Sequence, residues 1–151
     1  MRLPHKPWPG DVDLEPHATR VDKPWGYEIL WAESRHYTGK LLHIDAGKRL
    51  SLQYHDEKIE TQCLVSGRAL LIAEDAEGRL REIDMEPGKG YVIRPFQLHR
   101  LIAVEDAEIY EVSTPESGTT VRVEDDYRRP DETEAIRGSE GRGWQPPKNV
   151  E

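Results

Sequence analysis

The chain is poor in sulfur and in phenylalanine: 151 residues contain one Cys, two Met and one Phe. The lone Cys63 excludes an internal disulfide framework and a metal site built from several thiolates. Hydrophobic residues are also scarce, at 36% against 33% charged, and the mean hydropathy is −0.79. No apolar run approaches the ~20 residues of a membrane-spanning helix. The segment from Met1 to Pro7 has no apolar stretch of the kind a secretory signal needs. Basic charge is not in surplus either. A formal net charge of −8 and a pI near 5.3 argue against a nucleic-acid backbone as main partner. Local lysines and arginines could still hold an anionic small molecule inside an acidic envelope. The expectation is a cytoplasmic, soluble protein of one domain, with a small-molecule ligand and no membrane partner.

Residues 1–21 carry Pro4, Pro7, Pro9, Gly10 and Pro16 without a sustained period and read as an N-terminal arm. Residues 130–151 form a polar C-terminal tail punctuated by Gly138, Gly141, Gly143, Pro146 and Pro147. Trp8 and Trp144 are costly to leave in water, so each arm is expected to fold back on the domain or on a neighbouring subunit. Within residues 22–129 the texture is different. Short apolar or alternating runs lie near residues 27–31, 40–44, 50–54, 61–65, 69–73, 80–83, 91–93, 98–104 and 109–113. Turn signals such as Ser66-Gly67, Glu77-Gly78 and Pro87-Gly88-Lys89-Gly90 separate them. Strands at roughly ten-residue spacing, with no long helical stripe, predict an all-β sandwich or barrel. A short helix is possible at Glu132–Ile136.

In Leu50–His55 the alternation of a strand sends Ser51, Gln53 and His55 to one face and Leu50, Leu52 and Tyr54 to the other. The apolar face is expected to meet a core or a second sheet. Burying the polar face is unusual unless something binds it. Glu60 follows five residues after His55, and His99 opens a later strand after Pro95. Two imidazoles, a carboxylate and a carboxamide oxygen suit a divalent first-row metal. From composition and spacing alone, ordinary hydrogen-bonded histidines account for these residues equally well.

Gly47 to Gly67 reads Gly-x5-Gln-x-His-x4-Glu-x6-Gly, which resembles the first cupin motif, with Gln53 at the place of a first histidine. His99, after the Gly88/Gly90 turn, resembles the histidine of the second motif. Lys23-Pro24-Trp25-Gly26-Tyr27-Glu28, Gly47-Lys48-Arg49-Leu50-Ser51-Leu52-Gln53, His99-Arg100-Leu101 and Val123-Glu124-Asp125-Asp126-Tyr127 narrow the likeness. They resemble mannose-6-phosphate isomerase-like cupins, closest to the C-terminal domain of the type II branch, over residues 22–129. The resemblance implies a double-stranded β-helix, a jelly-roll barrel, holding one metal. Its ligands would be Gln53, His55, Glu60 and His99, and the ion most often zinc, with iron, manganese, nickel or cobalt as alternatives. It further implies that Lys58 belongs to the substrate site and that Arg100 meets phosphate or sugar hydroxyls. Only Phe96-Gln97-Leu98 separate Pro95 from His99, one residue and a glycine fewer than the family pattern, so the turn beside the metal must differ. Arg94 stands where an apolar residue is usual and could add positive charge at the rim. No transferase segment precedes the barrel in this sequence, so a stand-alone cupin, pairing as a homodimer, is expected.

The implied reaction is aldose–ketose interconversion through an enediolate. Glu111, if it enters the barrel, and Lys58 are the candidate bases. Lys40 and Arg49 could bind an anion or lie in solvent. His43 reads as a structural histidine, Cys63 as a small buried hydrophobe and Glu124-Asp125-Asp126 as solvated surface. Two other readings stand beside the isomerase: another metal-dependent cupin enzyme (a dioxygenase or lyase), and a non-catalytic sugar-binding cupin.

Overall fold

The computed structural model describes residues 14–148. Its strands are β1 (Thr19–Lys23), β2 (Gly26–Glu33), β3 (Thr38–Ile44), β4 (Leu52–His55), β5 (Glu60–Ser66) and β6 (Ala69–Glu74). They continue as β7 (Leu80–Asp84), β8 (Gly90–Ile93), β9 (His99–Ala103), β10 (Ala107–Ser113) and β11 (Thr120–Glu124). A short helix α1 (Glu134–Arg137) and a 3-10 turn (Glu140–Gly143) follow. All nine apolar runs of the sequence are strands. β1 and β11 are additional strands: Thr19–Lys23 has a single apolar residue, and Thr120–Glu124 alternates only two valines with polar side chains.

Two antiparallel sheets form the all-β barrel, one ordered β1-β2-β3-β10-β5-β8 and the other β11-β4-β9-β6-β7. This is the two-sheet architecture of a jelly roll. Strict alternation on β10 sends Ile109 and Glu111 inward and Tyr110 and Val112 outward. The apolar core gathers Leu42, Ile44, Leu64, Leu71, Ile93, Leu101 and Ile109, each 2% exposed or less. The charged and polar interior is carried on the same inward faces: Lys40 beside Leu42 on β3, Glu60 and Gln62 beside Leu64 on β5, and His99 beside Leu101 on β9.

On β4 the polar face is the buried one, as a ligand set inside the barrel requires, and Leu50 also packs against the core. The polar face of Ser51, Gln53 and His55 looks into the barrel, with Ser51 and His55 buried. Tyr54 instead packs against Phe96 outside, ring centroids 5.9 Å apart. The Lys-Pro-Trp-Gly turn needs its glycine: at φ +150° a Cβ on Gly26 would lie 2.0 Å from the His43 carbonyl oxygen. That close approach seats Trp25, 3% exposed, against the core.

Glu124 and Asp126 are exposed, as expected of solvated surface, while the Asp125 side chain is buried, and the run engages neighbouring arginines. Asp125 accepts two hydrogen bonds from the Arg129 guanidinium at 3.0 Å, and Asp126 accepts two from Arg49 at 2.7 and 2.8 Å. Beyond β11 the chain returns to the barrel, where Glu132 pairs through its backbone with Thr120. Half-buried Trp144 shares a surface groove with Arg20 and Asp22. Trp8 lies outside the described residues.

Candidate metal centre and active site

His55 ends β4, Glu60 begins β5 and His99 begins β9, and each is 3% exposed or less. One ligand atom from each lies within 4.8 Å of the others. Gln53 sits directly opposite His99 in the β4–β9 register, so it shares that inward face. Its Oε1 accepts a 2.6 Å hydrogen bond from the Ser51 hydroxyl, which fixes the carboxamide.

The histidine tautomers fit a cation. His99 Nδ1 lies 2.9 Å from the Gln97 carbonyl, which can only accept, so in the neutral ring the proton is on Nδ1 and the lone pair on Nε2. Nε2 is buried 2.9 Å from Glu60 Oε1 without a hydrogen bond to it. A lone pair aimed at a carboxylate oxygen is repulsive unless a proton or a metal ion is shared between them, and a metal ion would serve both donors. His55 Nδ1 is anchored at 2.8 Å by the Thr120 hydroxyl, while its Nε2 lies 3.3 Å from Glu60 Oε1. Burial lowers the His55 pKa and keeps the ring neutral, as a ligand must be. The donor set therefore fits a divalent metal.

A second carboxylate stands nearby. Buried Gln62 reaches both acids with its Nε2, 3.3 Å from Glu60 Oε1 and 3.4 Å from Glu111 Oε1. Lys58 lies 3.1 Å from Glu60 Oε2 and 3.7 Å from Glu111 Oε2. Burial opposes the charge on Lys58, but Glu60, Glu111 and Glu116 outweigh it and raise the ammonium pKa. Burial likewise opposes ionisation of Glu60, yet Lys58 and the hydrogen bond with His55 hold it well below the usual carboxylate range. Glu111 behaves oppositely. Burial and then the Glu60 charge push its carboxyl up to about 7. Two neighbouring acids are thus held in different protonation states, an arrangement common where proton transfer is carried out.

His55, Lys58 and Glu111 line a cavity of about 60 Å³ shared with Trp25, Leu42, Leu50, Gln53 and Thr120. Six cationic side chains line it (Lys23, Lys40, Lys58, Arg122, Arg129 and Arg142) against four carboxylates, Glu28, Glu111, Glu116 and Glu132. An acidic protein therefore has a cation-rich interior. Lys40 pairs with Glu116 and, at 3.6 Å, with Glu28. Arg142 lies 2.8 Å from Glu116 and 3.6 Å from Glu28.

Among the residues singled out in the sequence, Gln53, His55, Glu60, His99, Lys58, Glu111 and Lys40 come together. Arg94 and Arg100 do not line the cavity. Arg100 neighbours inward-facing His99 on β9, so alternation turns it away. Its guanidinium donates to the Leu50 carbonyl at 3.0 Å and to Glu124 at 3.1 Å. Arg94 is exposed, and its backbone N–H donates to Gln97 Oε1 in the shortened turn. Arg49 is likewise engaged on the surface, by Asp126 and Glu124. His43 stacks on Tyr27 at 4.7 Å and lies 2.9 Å from Glu108, a structural placement. Gln62, Thr120, Arg122 and Arg142 were not singled out. Alternation from Glu60 could have flagged Gln62, whereas the other three depend on a strand and a tail with little apolar signal.

The fold has many relatives among solved structures. The barrel superposes on KdgF from Halomonas sp. with a TM-score of 0.56 and 19% identity, over 65% of this chain and 88% of that one. It superposes on the Lactobacillus farciminis oxalate decarboxylase formate complex with a TM-score of 0.60 and 21% identity, over 70% of this chain and 34% of that one. Bacillus subtilis oxalate decarboxylase, a protein with Mn(II) centres, gives a TM-score of 0.62 and 17% identity, over 76% and 33%. The chain thus spans about a third of the oxalate decarboxylases. A comparison with curated proteins finds no match. The family model for the mannose-6-phosphate isomerase C-terminal domain matches residues 10–131, which span the whole barrel and the candidate ligands. By that match and by its two-sheet barrel, the chain belongs to the mannose-6-phosphate isomerase C-terminal family of cupin domains.

Proposed function

We propose that this cupin is a metal-dependent sugar-phosphate isomerase, interconverting an aldose and a ketose through an enediolate. The observation that carries this reading is the pairing of a buried His55/Glu60/His99 cluster with a raised-pKa carboxyl, Glu111, joined to it by Gln62 and Lys58. His55, Glu60 and His99, with Gln53 as a fourth donor, would hold one divalent ion, zinc by family resemblance. Such an ion supplies Lewis-acid stabilisation of negative charge developing on the substrate oxygens.

The chain's own residues supply the rest. Isomerisation needs a base that takes a proton from one carbon and returns it to the next. A carboxyl titrating near 7 is close to the working pH, where general-base catalysis is most effective. Glu111 fills that role. Lys58, held cationic between Glu60 and Glu111, places a fixed positive charge where the enediolate would form. Lys40 adds charge on the same wall. Gln62 keeps the two carboxylates apart and oriented.

A second reading has support from size. At about 60 Å³ the cavity is far below the roughly 300 Å³ of typical ligand pockets. That favours a smaller acid as substrate, in a lyase or dioxygenase reaction, unless a wall opens. Elemental analysis of the purified protein, with a screen of sugar phosphates for C2 proton exchange in deuterated buffer, separates these. Stoichiometric metal with exchange supports the isomerase. Metal with oxygen-dependent turnover supports the second reading, and absence of metal sinks both.

The protein is expected to act in the cytoplasm as a homodimer. The outer face of the six-stranded sheet presents Trp31, Tyr110, Val112, Val65 and Val92, each about half exposed, as the apolar surface for pairing.

A further inference from the structure

Lys23, Arg122, Arg142 and Glu132 line the cavity that holds His55 and Gln53, and none has a role in the chemistry above. The backbone of Glu132 is firmly placed: its N–H donates to the Thr120 carbonyl at 2.9 Å, and its carbonyl accepts from Thr120 N–H at 3.0 Å. Its carboxylate is not. Among the described residues its one ion pair is to Arg142, at 3.6 Å, and its Oε1 is buried without a hydrogen bond. The charge of Glu132 nonetheless acts on Lys23, Arg122 and Arg142 together, favouring the protonated form of each.

The cations have donors to spare. Among the described residues Lys23 has a single ion pair, with Glu28 at 3.7 Å. Arg122 gives NH1 to the Pro130 carbonyl, while its Nε is buried with no partner. Leaving a buried donor and a buried charged oxygen unsatisfied in the lining of one cavity is costly. A free oxyanion of suitable size would accept from such donors through short charge-assisted hydrogen bonds, in place of the Glu132 carboxylate.

We propose that Lys23, Arg122 and Arg142 form a subsite for the anionic group of a small ligand, a carboxylate or a phosphate, and that Glu132 is the chain's own stand-in for it. The Glu132 side chain rotates away as the ligand group enters, exchanging a loose ion pair for direct hydrogen bonds. Glu132 and Arg142 lie beyond residue 131, where the family match ends, so they are contributed by this chain's extension. The inference rests on the proposed reading of this cavity as the ligand site, but not on the metal.

The test titrates inorganic phosphate and acetate into the full-length protein as purified, by calorimetry. Glu132→Gln removes the competing charge while keeping the shape. It is expected to tighten binding of one probe about tenfold with metal content unchanged. The probe that gains more identifies the group. Adding Arg122→Gln or Lys23→Gln to that variant should abolish the gain; Arg122→Lys serves if Arg122→Gln does not fold. No gain in Glu132→Gln, or a gain that survives loss of Arg122 and Lys23, overturns the subsite. Anion binding that vanishes on chelation but ignores Arg122 places the anion on the metal, which rejects the subsite and leaves the metal centre standing. Anion binding that depends on Arg122 in protein that neither carries nor takes up metal supports the subsite while rejecting the metal centre.

Discussion

Each imidazole of the candidate centre is fixed through Nδ1, His99 by a backbone carbonyl at 2.9 Å and His55 by the Thr120 hydroxyl at 2.8 Å. Both rings therefore present Nε2 to Glu60. The arrangement is preorganised, so losing a ligand should cost metal more than it costs fold. His55→Ala and His99→Ala are each expected to lose most bound metal in elemental analysis. Their far-ultraviolet circular dichroism should match that of the wild type. Thr120→Val should weaken metal affinity by about 10–100-fold, as removal of an outer-shell partner does. Wild-type metal affinity in Thr120→Val would show that the hydroxyl does not orient His55.

At the scale of the element, the turn from Arg94 to Leu98 decides how β9 enters the site. The family pattern has a glycine and one further residue there. This chain instead puts Phe96 into the left-handed region, at φ +65°, where bulky side chains rarely lie. Its N–H donates to the His55 carbonyl at 2.7 Å, and Gln97 ties the turn to the Glu74 carbonyl at 2.9 Å. Those bonds hold a conformation that costs on the order of 1–3 kcal/mol at a non-glycine residue. Phe96 is 65% exposed, so little packing is lost by shortening it. Phe96→Gly is expected to unfold no earlier than the wild type, and Phe96→Val earlier by about 1–2 kcal/mol in urea titrations. An equal effect of the two would refute the strain. Here the sequence announces a different turn but cannot say which residue takes the unusual backbone.

The whole molecule is acidic outside and cation-rich within, which makes its stability depend on pH in a definite sense. Burial opposes ionisation of Glu28 and Glu116. For Glu28 the charges of Lys40, Lys23 and Arg142 win, and for Glu116 those of Lys40, Lys58 and Arg142. Both carboxyls end below their ordinary value of 4.5. A depressed carboxyl contributes stability above its unfolded value and loses it as pH falls. Melting temperature is therefore expected to drop between about pH 5 and pH 3. Glu116→Gln should lower stability at pH 7 by about 3 kcal/mol, since it leaves Lys40 and Arg142 short of a partner, and should flatten the acid limb. An acid limb as steep as the wild type's would rule out Glu116 as its source. Glu111 acts in the other direction: raised to about 7, it loses stability as pH rises through that value.

The period-two runs at nine strands, the turn residues between them and the Gln53-x-His55-x4-Glu60 spacing with His99 were all legible in the chain. They are set by local alternation and by short-range order, which a linear sequence carries. β1 and β11 carried that signal only weakly, with one valine in Thr19–Lys23 and two in Thr120–Glu124, and pairing with their neighbours holds them in place. The direction of Arg100 was undecidable for a related reason: alternation says that neighbours on a strand oppose one another, not which of them faces inward. Pairing of β10 with β5 within one sheet set Glu111 opposite Gln62 and so beside Glu60. Closure of the two sheets with the returning tail brought Arg122, Glu132 and Arg142 from the chain's last third to the same cavity. The sequence by itself determined that a polar set lines the barrel. The tertiary structure decided which charges meet there, because ion pairing between residues a hundred positions apart follows from packing and burial and leaves no periodic trace.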